Sequence, residues 1–117
     1  MLRAVIFDFN GILIDDEPVH FEMFQRVLND EGLSLNEKDY YDYYLGYDDR
    51  GCFTAYYKNA GHILSETALE ELVTRKARYY RESIESRMVV FPGVKRLVPE
   101  LSAKIPLAIA SGALRSE

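Results

Sequence analysis

Two unbroken apolar runs stand near the ends of the chain. Ala4-Val5-Ile6-Phe7 stops at Asp8, and Pro106-Leu107-Ala108-Ile109-Ala110 stops at Ser111. Apolar runs without alternation suit strands covered on both faces, as in a parallel sheet. Between them the apolar period is helical. Val19, Met23 and Val27, with Phe24 and Leu28, mark a helix over 16–31, opened by Asp16, Glu17 and Pro18 and closed by Gly32. Asn36 caps a second over 36–45, and Asp48-Asp49 opens a third over 48–60. A fourth spans 66–86, capped by Ser65 or by Thr67, the latter with Glu70 at capping-box spacing. Leu69, Leu72, Val73, Ala77, Tyr80 and Ile84 line one of its faces. After Phe91-Pro92-Gly93, Val94, Leu97, Val98 and Leu101 recur as on an amphipathic helix, which Pro99 should kink or weaken by about 3 kcal/mol. Asn10-Gly11 before Ile12-Leu13-Ile14 reads equally as a hairpin turn or as a loop at a strand end.

The order strand, helical block, helix, strand predicts an α/β protein. Residues 1–15 and 88–117 form a partial core of parallel strands, and 16–87 is an inserted helical domain. Two strands do not make a stable parallel sheet, since a doubly wound core has five or six. The chain therefore reads as the front part of a larger protein. The incomplete sheet would leave an open edge that invites self-association.

Composition narrows the function classes. With 48% hydrophobic and 28% charged residues the chain is globular rather than disordered. Its net charge of −5 excludes a basic footprint for nucleic acid or an anionic membrane. No apolar run nears the ~18 residues of a membrane span, and the opening apolar stretch is too short for a signal peptide. A lone cysteine, Cys52, cannot form an internal disulfide, which fits a cytoplasmic setting. Nine tyrosines are unusual. Four of them, Tyr40, Tyr41, Tyr43 and Tyr44, span all sides of one short helix, so some must be exposed as a partner surface or cleft lining.

Ligands of open α/β sheets bind beyond the carboxyl ends of strands, where Asp8 and Ser111 stand. An aspartate there can act as nucleophile or metal ligand. A serine followed by the Gly112 and Ala113 amides can hold an anion at a helix start. Singly each residue has a plain reading, as a turn-initiating carboxylate or a helix cap.

Val5-Ile6-Phe7-Asp8-Phe9-Asn10-Gly11-Ile12-Leu13-Ile14-Asp15 resembles the first motif of the haloacid dehalogenase (HAD) superfamily. Leu107-Ala108-Ile109-Ala110-Ser111 resembles its second, and the helical insertion before Phe91-Pro92-Gly93-Val94 is similar to the β-phosphoglucomutase-like branch. The resemblance implies a HAD-like Rossmannoid core with a helical cap, and a phosphatase or phosphomutase acting on a small phosphorylated metabolite. It implies Asp8 as the nucleophile that forms an aspartyl-phosphate. Mg²⁺ would be held by the Asp8 carboxylate and the Asn10 carbonyl, and phosphate by Ser111 and Gly112. His20, Arg50 and Lys76 fall at substrate-contacting cap positions. It also implies a tight catalytic loop after the first strand.

Two departures stand out. The family's phosphatases carry an aspartate acid/base where this chain has Asn10, and losing a positioned acid/base typically costs 10²–10⁴-fold. A slow or non-catalytic binder, an introduced substitution, and deamidation at Asn10-Gly11 all remain open. Asp15 and Asp16 lie past the loop and are poor substitutes. The family's later lysine and acidic-pair motifs find no counterpart before Glu117, so the chain alone is expected to be inactive. Branches that cleave carbon–halogen or carbon–phosphorus bonds also lack the second aspartate, but Asp16-Glu17-Pro18 to His20 resembles the phosphatase and mutase branch.

Overall fold

A computed structural model of the chain describes residues 1–113 and 115. It contains β1 (Val5–Phe7), α1 (Glu17–Asp30), α2 (Glu37–Asp39), a π-helical turn (Tyr40–Tyr44), α3 (Asp49–Asn59), α4 (Glu66–Arg87), α5 (Val94–Ser102) and β2 (Leu107–Ile109). The chain divides into two compact units, one of Met1–Val19 with Ser83–Glu117 and the other of His20–Glu82. Among the described residues, no helix is long and apolar enough to cross a membrane.

In the first unit β1 and β2 pair in parallel, with Val5 opposite Leu107, Ile6 opposite Ala108 and Phe7 opposite Ile109. Val5 N donates to Pro106 O at 3.1 Å, and Ala110 N to Phe7 O at 2.9 Å. The apolar runs predicted strands covered on both faces. Instead Ile6 is 69% and Ile109 60% exposed. The reason is the number of strands. Among the described residues the sheet has two, so neither face has the neighbours that bury a parallel core.

The Asn10-Gly11 segment makes a tight loop, not a hairpin. The amides of Ile12, Leu13 and Ile14 all turn back to Phe9 O, and Gly11 N donates to Ile14 O at 2.8 Å. Gly11 sits at φ 73°, in the left-handed region that a residue with a Cβ adopts at a cost. Residues 13–15 then run antiparallel to 89–91, through Phe91 N to Leu13 O (3.1 Å) and Asp15 N to Val89 O (2.7 Å). Leu13 and Ile14 are buried in this segment. Gly93 stands at the N-cap of α5, which runs through Pro99 to Ser102. Its Val94, Val98 and Leu101 are half-buried, and Leu97 is exposed.

The second unit closes around a helical core. Phe24, Val27 and Leu28 of α1 meet Leu35, Tyr40, Tyr44, Cys52, Phe53, Tyr57, Leu69 and Leu72. Phe24 and Phe53 stack edge to face with centroids 4.9 Å apart. The Asn36 side chain accepts from Asp39 N, and that of Asp48 from Gly51 N. Ser65 Oγ accepts from Ala68 N at 3.1 Å, so Ser65 rather than Thr67 supplies the cap of α4. Tyr40 and Tyr44, one π-turn apart, point inward, whereas Tyr41 and Tyr43 are exposed.

Candidate functional site

The ends of β1 and β2 bring three polar side chains of the first unit together. Ser111 Oγ donates to Asn10 Oδ1 at 3.3 Å, across 101 residues of chain. Asn10 Nδ2 donates to Asp16 Oδ2 at 2.5 Å. Asp16 is a fully enclosed carboxylate, 1% exposed, just ahead of α1. Asp8, one residue past β1, is exposed, and its Oδ1 accepts from Phe9 N at 2.8 Å. This bond ties the carboxylate to the backbone just past the strand end. Ser111 Oγ also accepts from Ala113 N at 3.1 Å. Gly112 is exposed beside it. Of the helix start expected after Ser111, only Ala113 and Arg115 fall within the described residues beyond Gly112.

The donor chemistry here suits a hard cation only in part. Mg²⁺ takes oxygen ligands and keeps several waters. The Asp8 carboxylate and the Asn10 carbonyl are two such oxygens, two residues apart on one loop. Among the described residues no group of three or more acidic, histidine or cysteine side chains could hold a metal. The rest of an octahedral shell would fall to water and a bound anion.

The second unit holds a different cluster. Lys76 of α4 is entirely buried, which a cation tolerates only when paired. Its Nζ donates to Asp49 Oδ1 at 2.8 Å and meets His20 Nδ1 at 2.6 Å. An ammonium has no acceptor, so Nδ1 accepts and the His20 proton sits on Nε2. The Phe24 and Tyr80 rings lie 5.0 and 5.3 Å from Nζ. His20 stacks on Tyr80 with centroids 4.5 Å apart. Arg50 stands outside this cluster. Its guanidinium is hydrogen-bonded to Glu66 and Glu70 of α4. Those bonds, first to Glu66 and then to Glu70, hold its pKa above the usual arginine value.

Of the residues singled out from sequence, Asn10 with Ser111 and His20 with Lys76 come into contact, and Arg50 joins neither pair. Two participants were missed. Asp16 and Asp49 both read as acids at helix starts, because their carboxylates favour a helix N-terminus whatever else they touch. The one available signal for Asp16 was an acid six residues after an amide in a loop that must fold back.

The family of haloacid dehalogenase-like hydrolases matches residues 5–117 of the chain. The chain is 29% identical over 119 residues to protein CbbY of Rhodobacter capsulatus, covering 98% of this chain and 52% of that protein. It thus spans about half the length of this curated relative. Among solved structures it is similar to CbbY from Rhodobacter sphaeroides, determined once as an aspartate-to-asparagine mutant with xylulose 1,5-bisphosphate and once, with no mutation named, in complex with phosphate. In both cases the TM-score is 0.83 at 18% identity, over 99% of this chain and 53% of that one. A haloacid dehalogenase-like hydrolase from Streptococcus pneumoniae gives a TM-score of 0.76 at 23% identity, over 94% of this chain and 49% of that one. At these identities the structural likeness speaks for the fold alone.

Proposed function

Because the chain belongs to the haloacid dehalogenase-like hydrolase family, we propose that it carries the nucleophile of a phosphatase or phosphomutase-like hydrolase acting on a small phosphorylated metabolite. Asp8 attacks phosphorus and forms an aspartyl-phosphate, which water then hydrolyses. Ser111, with the Gly112 amide, binds phosphoryl oxygens. The observation that carries this reading is the convergence of the two strand ends. Phe7 pairs with Ile109, Asp8 follows the first directly, and Ser111 meets Asn10 at 3.3 Å. Mg²⁺, held by the Asp8 carboxylate and the Asn10 carbonyl, would offset the repulsion between Asp8 and phosphate.

The helical segment 16–87 is proposed as the part that selects substrate, through His20, Arg50 and Lys76. His20 and Lys76 already touch. An anionic substrate that takes Arg50 must compete with Glu66 and Glu70. The CbbY complexes with phosphate and xylulose 1,5-bisphosphate support a phosphorylated ligand. The test is p-nitrophenyl phosphate with Mg²⁺, run on the whole protein to which these residues belong. Phosphate release and a phosphoryl adduct on the Asp8 peptide are expected, both absent from Asp8→Ala. Release that survives Asp8→Ala would overturn the reading.

One observation favours a second reading, a phosphate-ligand binder without turnover. Asn10 stands where an acid/base is needed, and its amide is engaged by Asp16. Saturable phosphate binding by calorimetry, with no adduct on Asp8, would select it.

A further inference from the structure

We propose that Asp16 is a positioning residue for Asn10, and that the pair suits the site to phosphoryl donors whose leaving oxygen departs without a proton, such as acyl phosphates. This deepens the hydrolase reading and rests on it. An asparagine side chain offers an acceptor on one side and a donor on the other, and its partners decide which way it faces. Asp16 is 1% exposed, and its Oδ2 lies 2.5 Å from Asn10 Nδ2. That carboxyl oxygen accepts from the NH₂ group, which turns toward it. Flipping the amide would set two acceptor oxygens against each other inside the protein, where such a contact is most costly. Oδ1 is thereby held on the other side, where Ser111 Oγ donates to it.

The side chain at position 10 therefore presents an acceptor beside the strand ends. That acceptor can orient an attacking water or hydroxyl, but it has no proton to deliver. In the phosphorylation step a bond forms between an Asp8 carboxylate oxygen and phosphorus. The bond from phosphorus to the leaving oxygen breaks, and the electron pair leaves with that oxygen. With no acid at position 10 the group departs as its anion and takes a proton from water afterwards. A carboxylate leaves readily in this way. An alkoxide does not, and the absent general acid is worth on the order of 10²–10⁴-fold for it.

The experiment compares acetyl phosphate with glycerol phosphate, both with Mg²⁺, read as phosphate release and as the phosphoryl adduct on Asp8. The whole protein to which these residues belong is used, as the wild type, Asp8→Ala, Asp16→Asn and the exchange Asn10→Asp/Asp16→Asn. The exchange keeps one charge and one amide in the pair but moves the carboxyl to position 10. The wild type is expected to favour acetyl phosphate by at least about 10²-fold in kcat/KM. The exchange should narrow that ratio by about 10²-fold by raising the alkyl rate. A wild type that uses both donors equally, or a ratio unchanged by the exchange, overturns the proposal.

A second readout needs no turnover. The Asn10 side-chain amide resonances in the 117-residue chain should move and exchange faster in Asp16→Asn. Unmoved resonances overturn the positioning role by themselves. Transfer from neither donor, or transfer that survives Asp8→Ala, instead overturns the hydrolase reading and the donor preference with it.

Discussion

The two units solve the burial problem with unequal success. Residues 20–82 enclose a continuous core of aromatic and aliphatic side chains and satisfy a wholly buried lysine inside it. The first unit, by contrast, rests among the described residues on a two-stranded parallel sheet with Ile6 and Ile109 open. Helices bond their own backbones, so a few of them close a core as soon as their apolar stripes meet. A parallel sheet needs a covering layer on each face. The first unit, no poorer in apolar residues, is therefore left with exposed surface where the second has a finished core.

The largest expected effect breaks the finished core. Phe53 is fully buried, and Phe53→Ala should cost about 3–5 kcal/mol in denaturant unfolding. Leu101→Ala in half-buried α5 should cost clearly less. A larger loss at Leu101 would reverse the comparison.

Next comes the buried ion pair. Asp49→Ala leaves the Lys76 ammonium without its anion, a change worth about 3–5 kcal/mol for enclosed pairs and less here because Asp49 is partly open. Lys76→Met in the same background should restore much of that stability. Failure to do so would mean that the lysine is not what makes Asp49 matter.

High pH probes the same unit more gently. Burial is the main cause raising the Tyr56 and Tyr57 phenols above their ordinary 10. The folded state therefore keeps these protons where the unfolded chain loses them. Their contribution is complete below pH 10 and declines as pH rises past it. Thermal midpoints followed from pH 9 to about 11 should fall in the wild type, and less so in Tyr57→Phe.

The smallest stability effect belongs to the open sheet. Ile6→Thr should change unfolding free energy by no more than about 0.5 kcal/mol, as at other exposed sites. Sedimentation should nonetheless register weaker self-association, because the change removes exposed apolar surface beside an unpaired strand edge. A wild type that stays monomeric at high concentration would remove this contrast between the units.

Much of the local structure was legible in advance. The helix over 16–31 was marked by apolar residues three and four apart, and α1 follows it closely. Asp48 and Ser65 are caps whose side-chain oxygens have short-range partners, so neighbours in sequence sufficed to find them. The stretch over 36–45 was harder. Its last turn is π-helical, and the inward choice of Tyr40 and Tyr44 depends on what packs against them. Ile6 misled because an apolar strand reads alike whether or not anything covers it. Asp8 and Ser111 stand out in the sequence because each closes an apolar run, but neither position announced that Asn10 would join Ser111 to Asp16.

From the sequence alone came the helical periods, the parallel pairing of the two outer runs and the family motif around Asp8, all of which follow from residue types at fixed spacing. Folding alone decided that Asp16 faces Asn10, that Asp49 and His20 hold Lys76, and that Arg50 turns to Glu66 and Glu70. These are choices among chemically equivalent partners. A carboxylate has no sequence signature for which amide or cation it will meet, because that depends on where the backbone carries both.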